Sequence, residues 1–429
     1  MLRLLNVFIY DIVTRIYFTA IRIAALFNSK ARKWVAGRRN VFRELENLKP
    51  SEGLRIWMHC ASHGEFEQGR PLLEALKERY PAAELVLTFF SPSGMEHASW
   101  QELTDTALYL PADSRKNAGK FLHLVQPDIA IFVKYELWYH YLSDLHRRKI
   151  PAVLIAASFR SDQIFFRWYG GFFRKMLAYF NLILVQYRDS ARLLDGIGLR
   201  KHAVCGDPRF ERAANIAASA YRNEILEAFC NGKQVLIAGS TWPADEEMLS
   251  KAFASQKTDN WKLVLVPHEI DRKRISQFAE QVPGTLVYSA LEKAGPGLAS
   301  AKVLVIDQMG LLSRIYRYGT AAYVGGALGG TGLHNIIEPA AYGLPVMFGP
   351  HHRQFPEAQE MLARGIAAVV ENADELVKAL EGFARTQNQK EIREAAGRLF
   401  DENGGVTGKM LEHLLLSGLL PNKKADFQN

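Results

Sequence analysis

Two carboxylates and one run of glycines account for most of the chemistry that this 429-residue sequence could perform. Glu65 closes the string Ser62-His63-Gly64-Glu65, which follows a short apolar run and opens a helical stretch. Glu136 stands in Lys134-Tyr135-Glu136, again just past an apolar run. A carboxylate so placed could take the proton of an attacking hydroxyl, the general-base half of an inverting transfer. A helix N-terminus favours the charged form of Glu65 and weakens it as a base, so partial burial has to offset that effect. Spacing alone also allows plainer roles. Glu65 could be a charge that stabilises the helix over 65–79, and Glu136 could partner Lys134 or Arg160.

The glycine run is Y-V-G-G-A-L-G-G-T-G-L-H-N-I-I-E-P, residues 323–339. Backbone N–H groups without a Cβ in the way, aimed along a helix N-terminus, can hold a phosphate. Glu338, within the helix that follows, is placed to accept hydrogen bonds from ribose hydroxyls. A long tight turn with a capping carboxylate is the alternative. Two other nucleotide motifs fail. Gly330-Thr331-Gly332 lacks the third glycine of G-x-G-x-x-G, because position 335 is Asn. Gly404–Lys409 is one residue short of a Walker A loop and is followed by Met410 where Ser or Thr is required.

These groups need strands to carry them. Apolar runs recur at 55–61, 84–90, 129–133, 152–157 and 182–186, then at 234–240, 262–267, 285–289, 302–306, 321–326 and 344–349. Continuous apolar strands that alternate with helical stretches imply parallel βαβ units buried on both faces. Eleven such strands exceed one comfortable sheet. The pattern predicts an α/β chain of two doubly wound, Rossmann-like domains, with the seam somewhere in 207–232. The expected division is an N-terminal helix over 1–30, a first domain over 31–215, and a second over 216–429 that includes the C-terminal helix. Ser, Gly and carboxylate residues follow most strands, where a ligand crevice should lie, and a cleft between the two domains is expected.

Composition narrows the class. An apolar fraction of 48% excludes a disordered chain, and Cys60, Cys205 and Cys230 are too far apart for a C-x-x-C site. The net charge is +8, which hints at an anionic partner. Residues 1–29 are mostly apolar, and their charges Arg3, Asp11, Arg15 and Arg22 share an arc of roughly 120° on a helical wheel. That is the pattern of a helix lying in a membrane interface; a core helix and a single span are the alternatives. Lys30, Arg32, Lys33, Arg38, Arg39 and Arg43 follow at once and suit an anionic leaflet. Between 158 and 175, Phe165, Phe166, Trp168, Tyr169, Phe172 and Phe173 mingle with Arg160, Arg167, Arg174 and Lys175. This mixture fits a lipid surface, stacking on single-stranded nucleic acid, or a core-facing helix. No recognised nucleic-acid motif accompanies it, and the lipid surface is the expectation.

S-x-G-E after the first strand, E-L-W after the third, and V-G-G-x₇-H-N-x₂-E with the later G-P-H resemble bacterial 3-deoxy-D-manno-octulosonic acid (Kdo) transferases. The resemblance runs from the N-terminal helix to about residue 415. It implies a GT-B glycosyltransferase with an N-terminal acceptor domain and a C-terminal CMP-Kdo domain. It implies Kdo transfer to a lipid A precursor (lipid IVA) in lipopolysaccharide synthesis, at the cytoplasmic face of the inner membrane, with no metal and no nucleic-acid partner. By similarity Glu65 would be the general base and Glu136 a second essential carboxylate. CMP contacts would fall on Pro267 and His268, on Met309, Gly310 and Leu311, and on Gly332, Asn335, Ile336, Ile337 and Glu338. Gly206 and Arg209 resemble the family's turn between the domains. The chain departs from the family at His268, where Arg is frequent, at Leu311, where Glu is frequent, and at Tyr139, where Pro follows E-L-W. Another GT-B enzyme acting at the membrane on a UDP-sugar, as transferase or epimerase, is the alternative reading.

Overall fold

The computed structural model describes residues 2–49, 53–97, 100–104, 106–291 and 297–421; the side chains of 2–4 and 97, Arg3 among them, lie outside that description. The apolar runs form two parallel sheets. The first contains β1 (Arg55–Cys60), β2 (Glu84–Phe89), β3 (Thr106–Tyr109), β4 (Ile129–Val133), β5 (Ala152–Ala157), β6 (Leu182–Val185) and β7 (His202–Val204). Their order is β3-β2-β1-β4-β5-β6-β7. The second contains β8 (Gln234–Thr241), β9 (Trp261–Pro267), β10 (Thr285–Val287), β11 (Val303–Val305), β12 (Ala321–Val324), β13 (Val346–Phe348) and β14 (Ala367–Val369), in the order β10-β11-β9-β8-β12-β13-β14.

The inner strands of each sheet are buried on both faces, as their largely apolar sequences require. On one face of the first sheet Trp57, Phe121, Phe132, Tyr141 and Leu154 form a core; on the other Met58, Phe66, Leu73, Ile131 and Ile155 form a second. The second sheet is sandwiched in the same way, with Leu249, Leu263 and Tyr323 on one side and Val235, Val264 and Tyr316 on the other.

The chain divides into two compact units, one running to Arg209 and resuming at Gly405, the other spanning Phe210–Gly404. The expected boundary at 215/216 therefore falls six residues late, and the C-terminal helix changes sides. Val406, Met410 and Leu414, four residues apart on one face of the helix Val406–Leu416, are buried with Leu72, Leu73 and Leu76 of the first unit. An apolar i, i+4, i+8 stripe must be covered, and this is what covers it.

The N-terminal helix Leu2–Ala24 is amphipathic in an inverted sense. Tyr10, Asp11 and Thr14 turn inward, while Arg15 and Arg22 stay exposed. Tyr10 donates to Asp113 at 2.6 Å, Asp11 meets His140 at 2.6 Å, and Phe18 stacks on Trp34 and Trp138. Its outer side carries Leu5, Phe8, Ile9, Ile12, Val13 and Ile16, with Phe8 62% and Ile16 64% exposed. No described helix is long and apolar enough to cross a membrane. The basic cluster after it is not uniform. Arg38 is drawn inward, where its guanidinium lies over Trp34 and donates to the carbonyls of Leu110 and Phe90. Lys33 pairs with Glu96 at 2.9 Å, while Lys30, Arg32, Arg39 and Arg43 stay exposed.

The aromatic segment splits likewise. Phe165 is buried, Phe166, Phe172 and Phe173 pack against the core, and Trp168 and Tyr169 are exposed. It is thus partly a core element and partly a surface one.

Candidate functional site

In a doubly wound sheet the ligand crevice opens where the strand order reverses. In the first sheet that point lies between β1 and β4, and in the second between β8 and β12. The two carboxylates singled out from the sequence follow β1 and β4. The glycine run follows β12, and Ser240 is the last residue but one of β8.

In the first unit Glu65 lies in the first turn of the helix Ser62-capped at His63–Arg79. The turn folds its carboxylate back, so that the backbone N–H of Ala61 donates to it. Burial, reinforced by the negative charge of Glu136, pushes the Glu65 carboxyl up to about 8; the Ala61 N–H and Lys134 pull the other way without prevailing. Burial thus overrides the helix N-terminus. Glu136 follows Lys134, a non-glycine residue held in the left-handed region at φ 61°, which turns the chain sharply after β4. Its carboxylate accepts from Trp138 Nε1 at 2.8 Å and lies 3.1 Å from His59 Nε2. Glu136 thus sits in a built hydrogen-bond network with Trp138 and His59, beside Glu65. Gly206 is in the left-handed region at φ 102°, and Arg209 clamps the buried Asp207 at 2.6 Å.

In the second unit a cavity of about 250 Å³ is lined by Ser240, Gly310, Leu312, Ser313, His334, Asn335 and Glu338. Of the ten residues expected to touch a nucleotide, Gly310, Asn335 and Glu338 line it. Asn335 donates to Glu338 at 3.0 Å, so the two side chains are held as a pair. Gly310 and Gly332 both take positive φ, 84° and 99°. Ile336 and Ile337 are fully buried in the core, and the N–H of Ile337 is taken by Asn335 Oδ1. Met309 is 72% exposed, and Leu311 packs against the Tyr316 core. Pro267 ends β9. His268 is part of a stack, 4.8 Å from the Trp242 ring and 4.4 Å from His334.

Ser240 and His334, which the sequence sets after a strand and within the glycine run without giving either a ligand contact, line this pocket, and Asp245 beneath it was not foreseen. Ser240 sits at a register shift of β8 against β9, at φ 53°, so the bulge turns it out of the sheet. His334 accepts from Trp242 Nε1 at 2.9 Å, which leaves its ring proton on Nδ1. Burial and the neighbouring His268 hold His334 below the usual histidine range. Asp245, fully buried on the helix Pro243–Phe253, accepts from the N–H of Trp242, the N–H of Gly326 and the hydroxyl of Tyr323. The string Thr241-Trp242-Pro243-Ala244-Asp245 was a readable capping signal for it.

The glycine run works differently from a simple phosphate cradle. The N–H groups of Gly325, Gly326, Gly332 and His334 are committed to Gly239 O, Asp245, Gly326 O and Gly325 O, so they hold the loop's own shape. A Cβ on Gly325 would lie 2.4 Å from Ser240 O, and one on Gly326 2.1 Å from Gly332 O. Here glycine is needed because backbone approaches backbone.

Comparison with solved structures places this fold beside S. aureus MnaA in complex with UDP (TM-score 0.60, 14% identity, 86% of this chain and 99% of the other). A UDP-GlcNAc 2-epimerase from Neisseria meningitidis bound to UDP-GlcNAc gives a TM-score of 0.58 at 14% identity, covering 85% and 100%. Residues 32–212 match the family described as 3-deoxy-D-manno-octulosonic-acid transferase (kdotransferase). The chain is 27% identical to the 3-deoxy-D-manno-octulosonic acid transferase of Aquifex aeolicus over 82% of its length and 94% of the relative's. It is 28% identical to that of Haemophilus influenzae, over 85% and 87%. A bifunctional glycosyltransferase/methyltransferase of Fusobacterium nucleatum is 26% identical over 89% of this chain, which spans 60% of that protein. Two parallel-sheet domains, with a carboxylate pair at one switch point and a pocket at the other, have the GT-B fold. The family match over residues 32–212 and relatives 27–28% identical over most of the chain support a 3-deoxy-D-manno-octulosonic acid (Kdo) transferase of the GT-B type.

Proposed function

We propose that this protein transfers Kdo from CMP-Kdo to a hydroxyl of a lipid A precursor, with inversion at the sugar carbon and Glu65 as general base. The observation that carries the reading is the state of Glu65: a half-buried carboxylate whose proton affinity is pushed up to about 8 by burial and by Glu136. A carboxylate in the ordinary range would be a poor acceptor for a hydroxyl proton; one near 8 is matched to the task. As the acceptor oxygen bonds to the sugar carbon, the bond from that carbon to the CMP phosphate oxygen breaks and takes its electron pair with CMP. The hydroxyl proton passes to Glu65. CMP leaves as a phosphate monoester, and the proposal calls for no metal. The second unit's pocket takes the nucleotide, with Glu338 and Asn335 toward the ribose and His334 at the rim. Purified full-length protein, CMP-Kdo and a lipid A precursor should yield a product heavier by whole Kdo units in the mass spectrum; absence of any adduct would sink the reading.

The acceptor is a lipid, and the N-terminal helix supports a position at the cytoplasmic face of the inner membrane. Its apolar side is turned outward, and exposed Lys30, Arg32, Arg39 and Arg43 follow it. Basic residues near an anionic leaflet contribute about 1 kcal/mol each. Deleting the helix would also strip Tyr10 and Phe18 from the core, so point changes on the outer side are the cleaner test. Phe8→Asp with Ile16→Asp should reduce sedimentation with vesicles containing anionic lipid by roughly tenfold or more, because two apolar side chains give way to charges. Circular dichroism should be unchanged. Full vesicle binding by the double variant would remove this face as the anchor.

A further inference from the structure

Behind Glu136 lies a set of polar side chains that neither the sequence reading nor the family motifs assign. His59 is fully buried on β1, an interior strand of the first sheet, and its register neighbour on β2 is Thr88. A buried imidazole among apolar side chains must have its nitrogens satisfied. Trp57, two residues earlier and on the same face, donates its indole N–H to Thr88 Oγ1 at 2.8 Å. An indole can only donate, so the threonine hydroxyl has its own proton to give. His59 Nδ1 lies 2.9 Å from that hydroxyl and 3.1 Å from the Thr88 carbonyl; His59 Nε2 lies 3.1 Å from Glu136 Oε2.

Two protonation states satisfy these distances. In the neutral ring the Thr88 hydroxyl donates to Nδ1 and the ring proton sits on Nε2. In the charged ring Nδ1–H donates to the Thr88 carbonyl and Nε2–H is again present. In both, Nε2–H donates to Glu136, alongside the 2.8 Å bond from Trp138. The neutral ring with its proton on Nδ1 would instead turn a lone pair toward the carboxylate.

We propose that His59 is a positioning residue for the transfer step: the chain Trp57–Thr88–His59 delivers an N–H to Glu136 that holds this carboxylate charged beside Glu65. A fixed negative charge at Glu136 makes Glu65 the member of the pair that takes up the proton. Without that charge, Glu65 loses the Coulombic push that strengthens it as a base. The inference rests on the reading of Glu65 as general base. The other groups facing the pair are Lys134, whose positive charge opposes Glu136, and the buried Cys60, whose thiol is pushed up by burial and by both carboxylates. Asp207 faces Lys134 and is held by Arg209.

The test is the pH dependence of kcat/KM for Kdo transfer by the full-length protein. Wild type should lose activity below an acid limb near the Glu65 value of about 8. His59→Leu should move that limb down by about one pH unit or more and lower the alkaline plateau, because a weaker base is protonated only at lower pH. Glu136→Gln should move the limb in the same sense. The double variant should match Glu136→Gln alone, since His59 acts through Glu136. Thr88→Val, a smaller change that leaves the imidazole in place, should give a partial shift and keeps the test open if His59→Leu fails to fold. A wild-type limb that neither His59→Leu nor Thr88→Val moves, or shifts that add in the double variant, would overturn the proposal alone. Absence of any limb near pH 8 in wild type would overturn the reading of Glu65 and the proposal with it.

Discussion

Glu65→Gln is expected to lower kcat for Kdo transfer by roughly 10²–10⁴-fold with little change in KM for either substrate, the range a lost general base gives. The glutamine amide keeps the length of the side chain, and its oxygen can still accept from the N–H of Ala61. The helix start should therefore survive. The same substitution carries a stability signature of opposite sign. Folding raises the proton affinity of Glu65 from the ordinary carboxylate range to about 8. A group raised in this way favours the fold fully below about pH 4.5, and that advantage is lost as pH rises through 8. Above pH 8 the wild-type fold holds an ionised, poorly solvated carboxylate next to Glu136. Glu65→Gln should then melt at a higher temperature than wild type at pH 8.5–9, with the gain shrinking toward about pH 4.5. An inactive variant that gains nothing at alkaline pH would mean Glu65 is not the buried carboxyl drawn here; an active one would remove it as base.

This trade explains why the strand-end loops could be read from sequence and the proton affinity could not. Glu65 and Glu136 were visible because each follows a continuous apolar run, and such runs mark strands covered on both faces. All eleven of those runs are strands, and the three strands that were not anticipated are β3, β7 and β14. Each lies at the edge of its sheet and is only partly buried, as in Thr106–Tyr109, His202–Val204 and Ala367–Val369. An edge strand has one neighbour, needs less apolar cover, and so writes a weaker pattern. The pocket of the second unit was half legible for a related reason. Glu338 stood out by its place after the glycine run, and Gly310 and Asn335 through the family resemblance, whereas Ser240 was marked only as a strand-end residue and reaches the cavity through a bulge that no residue type announces. Ile336 and Ile337 stand between Asn335 and Glu338 in sequence, yet helical geometry turns their side chains into the core. Arg38 shows the same limit for charge: a cluster of basic residues reads as one surface, but tertiary contacts can take one of them inside.

The second large effect is expected at Asp245, which holds the glycine loop without touching the cavity. Its two oxygens accept from three donors: Tyr323 O–H at 2.6 Å, Trp242 N–H at 2.9 Å and Gly326 N–H at 3.0 Å. Those donors come from β12, from the residue preceding the helix Pro243–Phe253, and from the loop itself, so one fully buried carboxylate ties the ends of β8 and β12 together. Its negative charge and burial both push the Tyr323 hydroxyl up, so that the phenol remains a donor. Asp245→Ala would strand all three donors away from water, at a cost on the order of 3–5 kcal/mol. Asp245→Asn should cost far less, about 1 kcal/mol, because the amide oxygen can accept from the two backbone N–H groups while its N–H₂ donates to a reoriented Tyr323 hydroxyl. The loop around Gly325 and Gly326 has no slack to absorb the loss, since each lies where even a Cβ would collide with backbone. Hydrogen exchange of the full-length protein should therefore lose protection over 323–338 in Asp245→Ala and keep it in Asp245→Asn. Calorimetric titration with CMP should weaken at least tenfold in the alanine variant only, a shift of about 1.4 kcal/mol. If the two variants lost protection and affinity equally, charge rather than hydrogen bonding would be what holds the loop. If neither lost either, the glycine run would be shaped by its own backbone bonds, Gly332 N–H to Gly326 O and His334 N–H to Gly325 O, without help from the helix beneath it.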